Sequence, residues 1–221
     1  MTGPPFDLAE TDRLLTTTRA VRRRLDLDRP VDPAVVLDCV RIAVQAPTGS
    51  NSQTWRWMVV TDEARRREIA RHYREVGEAY LAHAVRTADE PQTRRVYESA
   101  LALTSTLADV PVLVIPCVEG DVDRSSNGAA ASAYGSIMPA AWSFLLALRS
   151  RGLGSVWTTL HLFREREVAE LLGIPDGVTQ VALFPVAHTV GTDFRPAARP
   201  PVEDITFWNS WRRTDVPGTA D

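Results

Sequence analysis

Arg19 and Arg22 stand three residues apart in the run Arg19-Ala20-Val21-Arg22-Arg23-Arg24, a spacing that places two guanidiniums on one face of a helix. Paired forks of this kind can grip a phosphate or reach the carbonyl and nitrogen of a ring. A second polar patch is Pro47-Thr48-Gly49-Ser50-Asn51-Ser52-Gln53-Thr54-Trp55. Asn51 and Gln53 each carry a donor and an acceptor, which suits the edge of a heterocycle such as a flavin pyrimidine. A third is Thr158-Thr159-Leu160, at the end of a segment of strand composition, where ligands commonly lie in open sheets. Singly, the three read equally well as a solvated arginine face, a loop capped by its own side chains and ordinary strand threonines. Together they could hold a flat, phosphorylated, hydrogen-bonding ligand.

Other chemistries lack their residues. His72, His83, His161 and His188 form no HExxH pattern and Cys39 and Cys117 no CxxC pair, so no metal site is expected. No G-x-S-x-G elbow for acyl transfer occurs, and no G-x-G-x-x-G or Walker-type loop. Gly152-Leu153-Gly154 precedes a strand-like segment, where a phosphate cradle would precede a helix. A formal charge of −3 over 221 residues disfavours nucleic acid and leaves a small molecule as the expected partner. No basic leader precedes an apolar stretch near Met1, and no window reaches the roughly 18 apolar residues that span a bilayer. The expectation is a cytoplasmic protein without a membrane partner. Cys39 and Cys117 sit among apolar residues and are expected to be buried free thiols.

The elements that must position these patches are legible in outline. Leu8, Leu14, Leu15, Val21 and Leu25 at roughly helical spacing predict one helix over 8–24. Asp32-Pro33 supplies a cap and a proline at the first position for a helix over 33–46. A polar loop then leads into a strand at 55–60, and Asp62 caps a helix to about Val85. Pro91 precedes a helix at 92–107, a buried strand follows at 110–117, and 128–149 reads as one nearly buried helix. Residues 155–160 have strand composition, Gly173 closes a short helix from Glu165, and 179–187 reads as another buried strand. The last 30 residues are proline-rich and extended, and Ile205, Phe207, Trp208 and Trp211 suit docking on a partner subunit or on the chain's own sheet. One globular domain over 1–221 is expected, with loose ends at 1–10 and 213–221.

Five motifs, in order, resemble those of the FMN-dependent nitroreductase family. Arg19-Ala20-Val21-Arg22 is similar to the family's R-S-x-R, and Pro47 to Trp55 to its P-S-x-x-N-x-Q-P-W. Gly152-Leu153-Gly154-Ser155-Val156-Trp157 resembles G-L-G-S-x-W, and Leu172-Gly173-Ile174-Pro175 resembles L-G-I-P. Arg199-Pro200-Pro201-Val202-Glu203-Asp204-Ile205 resembles the tail R-K-P-L-E-E-hydrophobic. Ala20 stands where serine is usual and Thr54 where proline is usual; the missing hydroxyl should weaken cofactor binding by roughly 0.5–1.5 kcal/mol.

The resemblance implies an α+β, three-layer fold: a mixed, mainly antiparallel sheet flanked by helices, in an intertwined homodimer with an extended C-terminal arm. It implies FMN as cofactor, with Arg19 and Arg199 at the phosphate, Ala20 beside them and Arg22 near N1 and O2. Pro47, Thr48, Gly49, Ser50, Asn51 and Gln53 would line the ring or come from the opposite subunit. Trp157, Thr158, Thr159 and Leu160 would pass N5, with a backbone N–H or the Thr159 hydroxyl as donor. The implied activity is ping-pong reduction of a nitroaromatic, quinone or enone by NADH or NADPH. Reductive dehalogenation and dehydrogenation on the same fold stay open, as does a non-catalytic flavin- or small-ligand-binding dimer.

Overall fold

The structure, a computed structural model, describes residues 5–214 other than 121 and 124. The expected loose ends lie partly outside the described residues, at 1–4 and 215–221, whereas Leu8 to Glu10 are already helical. The central strand is β3, Val112–Glu119. Its Leu113, Ile115 and Cys117 enter one core with Ile69, Tyr73, Leu103 and Leu107. Val112 and Val114 enter a second core with Val36, Cys39, Phe144 and Leu148. Alternation puts successive side chains on opposite faces, so a strand apolar at both parities must be the middle of three layers. The sheet order is β1 (Leu25–Asp26), β6 (Phe184–Thr189), β3, β2 (Trp55–Val60), with β4 (Leu153–Gly154) on β6 and β5 (Val178–Gln180) on β3. Every strand pair is antiparallel.

One outer layer is α3 (Glu63–Thr87) packed on α4 (Pro91–Thr106); the other is α2 (Pro33–Ala43) on α6 (Met138–Ser150). Local signals set their ends. Asp32 Oδ1 accepts from Ala34 N at 2.8 Å and Asp62 Oδ1 from Arg65 N at 2.9 Å, while Glu90 caps α4 ahead of Pro91. Gly173, at φ +66°, closes α7 (Glu165–Leu172) as expected. Cys39 and Cys117 are buried and free.

Several sequence expectations need correction. The helix expected over 8–24 is α1, Leu8–Thr17, and stops there. The hydroxyls of Thr16, Thr17 and Thr18 bond back to the carbonyls four residues earlier, and the backbone beyond is committed to β1. Arg19 and Arg22 therefore share the non-helical segment between α1 and β1, not a helical face. The second helix ends at Ala43, with 44–46 in a turn.

The expected single helix over 128–149 is two, α5 (Asn127–Gly135) and α6. The Pro139 ring would collide with the carbonyl of Gly135 and has no N–H to give it. Residues 127–150 are together long and apolar enough to cross a bilayer, yet α6 buries Ala141, Phe144, Leu145 and Leu148 within the core.

The strand expected over 179–187 is interrupted. Val181 N donates to Pro116 O at 2.9 Å, but Pro116 has no N–H to return, so the ladder between β5 and β6 breaks there. Leu183 instead exchanges two backbone bonds with Thr158, at 2.8 and 3.2 Å. That bridge is all the strand character residues 155–160 possess; their expected strand is β4, two residues earlier. The C-terminal stretch has no α-helix among its described residues, only a 3-10 turn at Val202–Ile205.

Candidate functional site

The segment after α1 runs beside the one after β4, with Val21 N donating to Ser155 O at 2.8 Å. Gly154 is what permits this. A Cβ there would lie 2.6 Å from Thr189 Cγ2 and 3.1 Å from Val21 Cβ, closer than carbon atoms pack. The close approach holds Arg19, Ala20 and Arg22 against residues 153–157. Trp157 is tied to the core by aromatic contacts, 5.2 Å to Phe184, which lies 6.0 Å from Phe144.

These segments bound a cavity of about 720 Å³, within the roughly 300–1,000 Å³ of small-molecule and cofactor sites. Among the described residues five arginines line it, Arg19, Arg22, Arg95, Arg149 and Arg199, and no aspartate or glutamate does. The apolar wall comes from Trp142, Leu145, Val156 and Trp157. Ser155 is also in the lining, and its Oγ is buried without a hydrogen-bond partner among the described residues.

Arg22 is half-buried, and Nη1 donates to Ser99 Oγ at 3.2 Å. Burial lowers its pKa, so this cation has lost water without gaining an anion among the described residues. Arg199 arrives on the C-terminal segment, which two other arginines fasten. Phe194 lies between Arg24 and Arg149, their guanidinium carbons 4.2 and 4.5 Å from the ring centroid. Arg24 Nε donates to Val190 O at 2.8 Å, and Arg149 Nη2 to Thr192 O at 3.3 Å.

The other two patches sit apart from this cavity. Gly49 and Ser50 line a smaller one, about 360 Å³, with Glu119, Ser132 and Ser136. Pro47 leads into this loop exposed, and Gly49 N donates to Ser136 Oγ at 2.9 Å. Thr48 Oγ1 accepts from Gln53 N at 3.2 Å, and Asn51 Oδ1 from Gln53 Nε2 at 2.9 Å. Ser50, Asn51 and Gln53 all hold φ near +50°, sparsely populated for residues with side chains. Such conformations cost of order 1–3 kcal/mol each and cluster at ligand sites.

Thr158, Thr159 and Leu160 lie one step past Trp157. The Thr158 hydroxyl is bonded to Tyr73, Thr159 is exposed with no side-chain cap bond, and Leu160 packs on α3 at Gly77. Sequence reasoning missed Arg95, Arg149, Trp142 and Ser155. Arg149 carried a signal, a lone cation ending an apolar helix, whereas Arg95 resembled any solvated helical arginine. Among the described residues no group of three or more His, Cys, Asp or Glu is placed to hold a metal ion.

The family profile described as Nitroreductase family matches residues 15–188. The chain is 28% identical over 206 residues to a NADH dehydrogenase of Thermus thermophilus, covering 86% of this chain and 91% of that protein. It is 26% identical over 176 residues to an iodotyrosine deiodinase of Thermotoga neapolitana, covering 79% and 86%. In fold it is similar to the FMN-dependent nitroreductase NfnB of Mycobacterium smegmatis, solved in complex with NADPH: TM-score 0.65, 19% identity, 92% of this chain and 100% of that one. With the three-layer sheet, the arginine-lined cavity and a family match over most of its length, the chain belongs to the nitroreductase family.

Proposed function

We propose that the protein is an FMN-dependent oxidoreductase that takes electrons from NADH or NADPH and passes them to an electron-poor small molecule such as a nitroaromatic, quinone or enone. The observation that carries this reading is the convergence of Arg19 and Arg22, from the segment after α1, with Arg199, from the C-terminal segment, on one cavity beside Trp157 that no described aspartate or glutamate lines. The residues present fit the cofactor: cations for a phosphate, an indole and aliphatic wall for a flat ring, and an orphan Ser155 hydroxyl for a polar substituent. FMN, when bound, supplies the redox chemistry itself, so the lack of a catalytic triad is expected.

The chain's own work is then holding and electrostatics. Arg19 and Arg199, neither in an ion pair among the described residues, bind the phosphate. Arg22, short of an anion, stabilises negative charge at the ring edge. Thr159 keeps its hydroxyl free for N5, whereas the hydroxyl of Thr158 is taken by Tyr73.

The 47–53 residues do not line the arginine cavity of their own chain and reach it from a second copy in a homodimer. Exposed Ile205, Trp208 and Trp211 dock the arm on that copy. The protein acts as one domain, in the cytoplasm, on free small molecules. Steady-state kinetics varying reductant and acceptor should give parallel double-reciprocal lines, as a ping-pong cycle requires; intersecting lines would sink that mechanism. Similarity to the Thermotoga deiodinase favours one second reading, reductive dehalogenation, which iodide release from 3-iodotyrosine would reveal.

A further inference from the structure

We propose that the cavity face of α4 recognises a carboxylate or phosphate on the second small molecule to enter the site, with Arg95 as the recognising residue. This deepens the oxidoreductase reading and rests on it. Gln92, Arg95, Val96 and Ser99 fall at i, i+3, i+4 and i+7 of α4, one helical face, and all four line the arginine cavity. The bond from Arg22 to Ser99 Oγ fixes that face beside the position assigned to the cofactor's ring edge.

Charge balance then asks for a second anion. A phosphate monoester carries about −1.5 to −2 at neutral pH, which Arg19 and Arg199 match. Arg149 is already engaged by Phe194 and Thr192 O. Arg95 has neither a hydrogen bond nor an ion pair among the described residues. Its acidic neighbour Glu90 is occupied in capping α4 through the N–H groups of Gln92 and Thr93, and Arg95 is the smallest influence on it. A surplus cation on a cleft with no acid among its described lining residues focuses potential on anionic ligands. Val96 and Trp142, 49% and 44% exposed, supply apolar surface beside it, so the group recognised is an anion on a planar or apolar body.

The test compares 4-nitrobenzoate with its neutral counterpart 4-nitrobenzamide in calorimetric binding to the protein as purified. Wild type should favour the anion by about fivefold at low salt, and Arg95→Gln should abolish the preference without weakening the neutral ligand. Arg67→Gln, on an exposed face of α3 away from the cavity, should leave it intact. A preference that is absent in wild type, or survives in Arg95→Gln, overturns the proposal. In the flavin-loaded protein, reoxidation by the two nitro compounds and reduction by NADH against uncharged N-benzyl-1,4-dihydronicotinamide tell a substrate carboxylate from a dinucleotide phosphate. If the oxidoreductase reading alone fails, the protein is colourless and neither rate exists, yet the binding comparison still gives its answer.

Discussion

Tyr73 Oη and Thr158 Oγ1 lie 2.9 Å apart, joining α3 to the chain as it leaves the cavity at Trp157. Tyr73 is 1% exposed, and burial raises its pKa against the opposing pull of Thr158 and of the Arg22 guanidinium. The contact thus links the apolar core to the polar site. Tyr73→Phe keeps the packed ring but leaves the Thr158 hydroxyl alone. It should cost about 1 kcal/mol of stability, seen as a lower urea midpoint at unchanged slope. An unchanged midpoint would show that the bond contributes nothing net.

His161 predicts how stability depends on pH. It is fully buried, neither ring nitrogen has a partner among the described residues, and burial lowers its pKa from 6.5 to about 3. Below about 6.5 the unfolded chain takes up a proton that the folded chain accepts only near 3. The unfolded state therefore binds more protons in that window, and stability falls as pH falls through it. The slope is at most about 1.4 kcal/mol per pH unit. Urea unfolding at pH 7 and pH 5 should show the loss, and His161→Leu should flatten it; equal slopes for the two proteins would rule out His161 as the source.

What the sequence made legible was local. Asp32-Pro33 and Gly173 mark their helix ends because caps and left-handed closures depend on a few adjacent side chains. That β3 is a buried strand was visible in its apolar run. What stayed hidden depends on distant partners: Pro116 breaks a ladder formed some 65 residues later, and Thr158 bonds with Leu183 in place of extending a strand. In the site, Arg19, Arg22, Trp157 and Arg199 do meet. Arg95 went unseen because nothing in a helical period says which face meets a cavity, and Arg149 offered only its place as a lone cation at the end of an apolar helix.

The 47–53 loop carries a conformational prediction. Ser50 is exposed, so a β-branched residue there would ordinarily be harmless, but its φ is +52°. Ser50→Val should destabilise by about 1–2 kcal/mol. Ser50→Gly, which adopts this region freely, should hold or raise stability. Thermal melts that rank valine equal to glycine would rule out a left-handed backbone at this position.

Arg19 should be required for the cofactor in a way its neighbour Arg23, outside the cavity, is not. Losing a charge-assisted bond to phosphate costs roughly 1.5–3 kcal/mol, about 10- to 100-fold in affinity. Flavin fluorescence titration should find that loss in Arg19→Gln and little change in Arg23→Gln. Equal affinities for the two variants would remove Arg19 from the phosphate position.

The proposed oxidoreductase needs FMN in the arginine cavity and a nicotinamide that reduces it. The absorbance spectrum of the purified protein, followed by anaerobic titration with NADH and then NADPH, tests both halves together. A yellow protein whose flavin band bleaches on titration with at least one of them is expected. A colourless protein whose melting temperature FMN does not shift would contradict the proposed function.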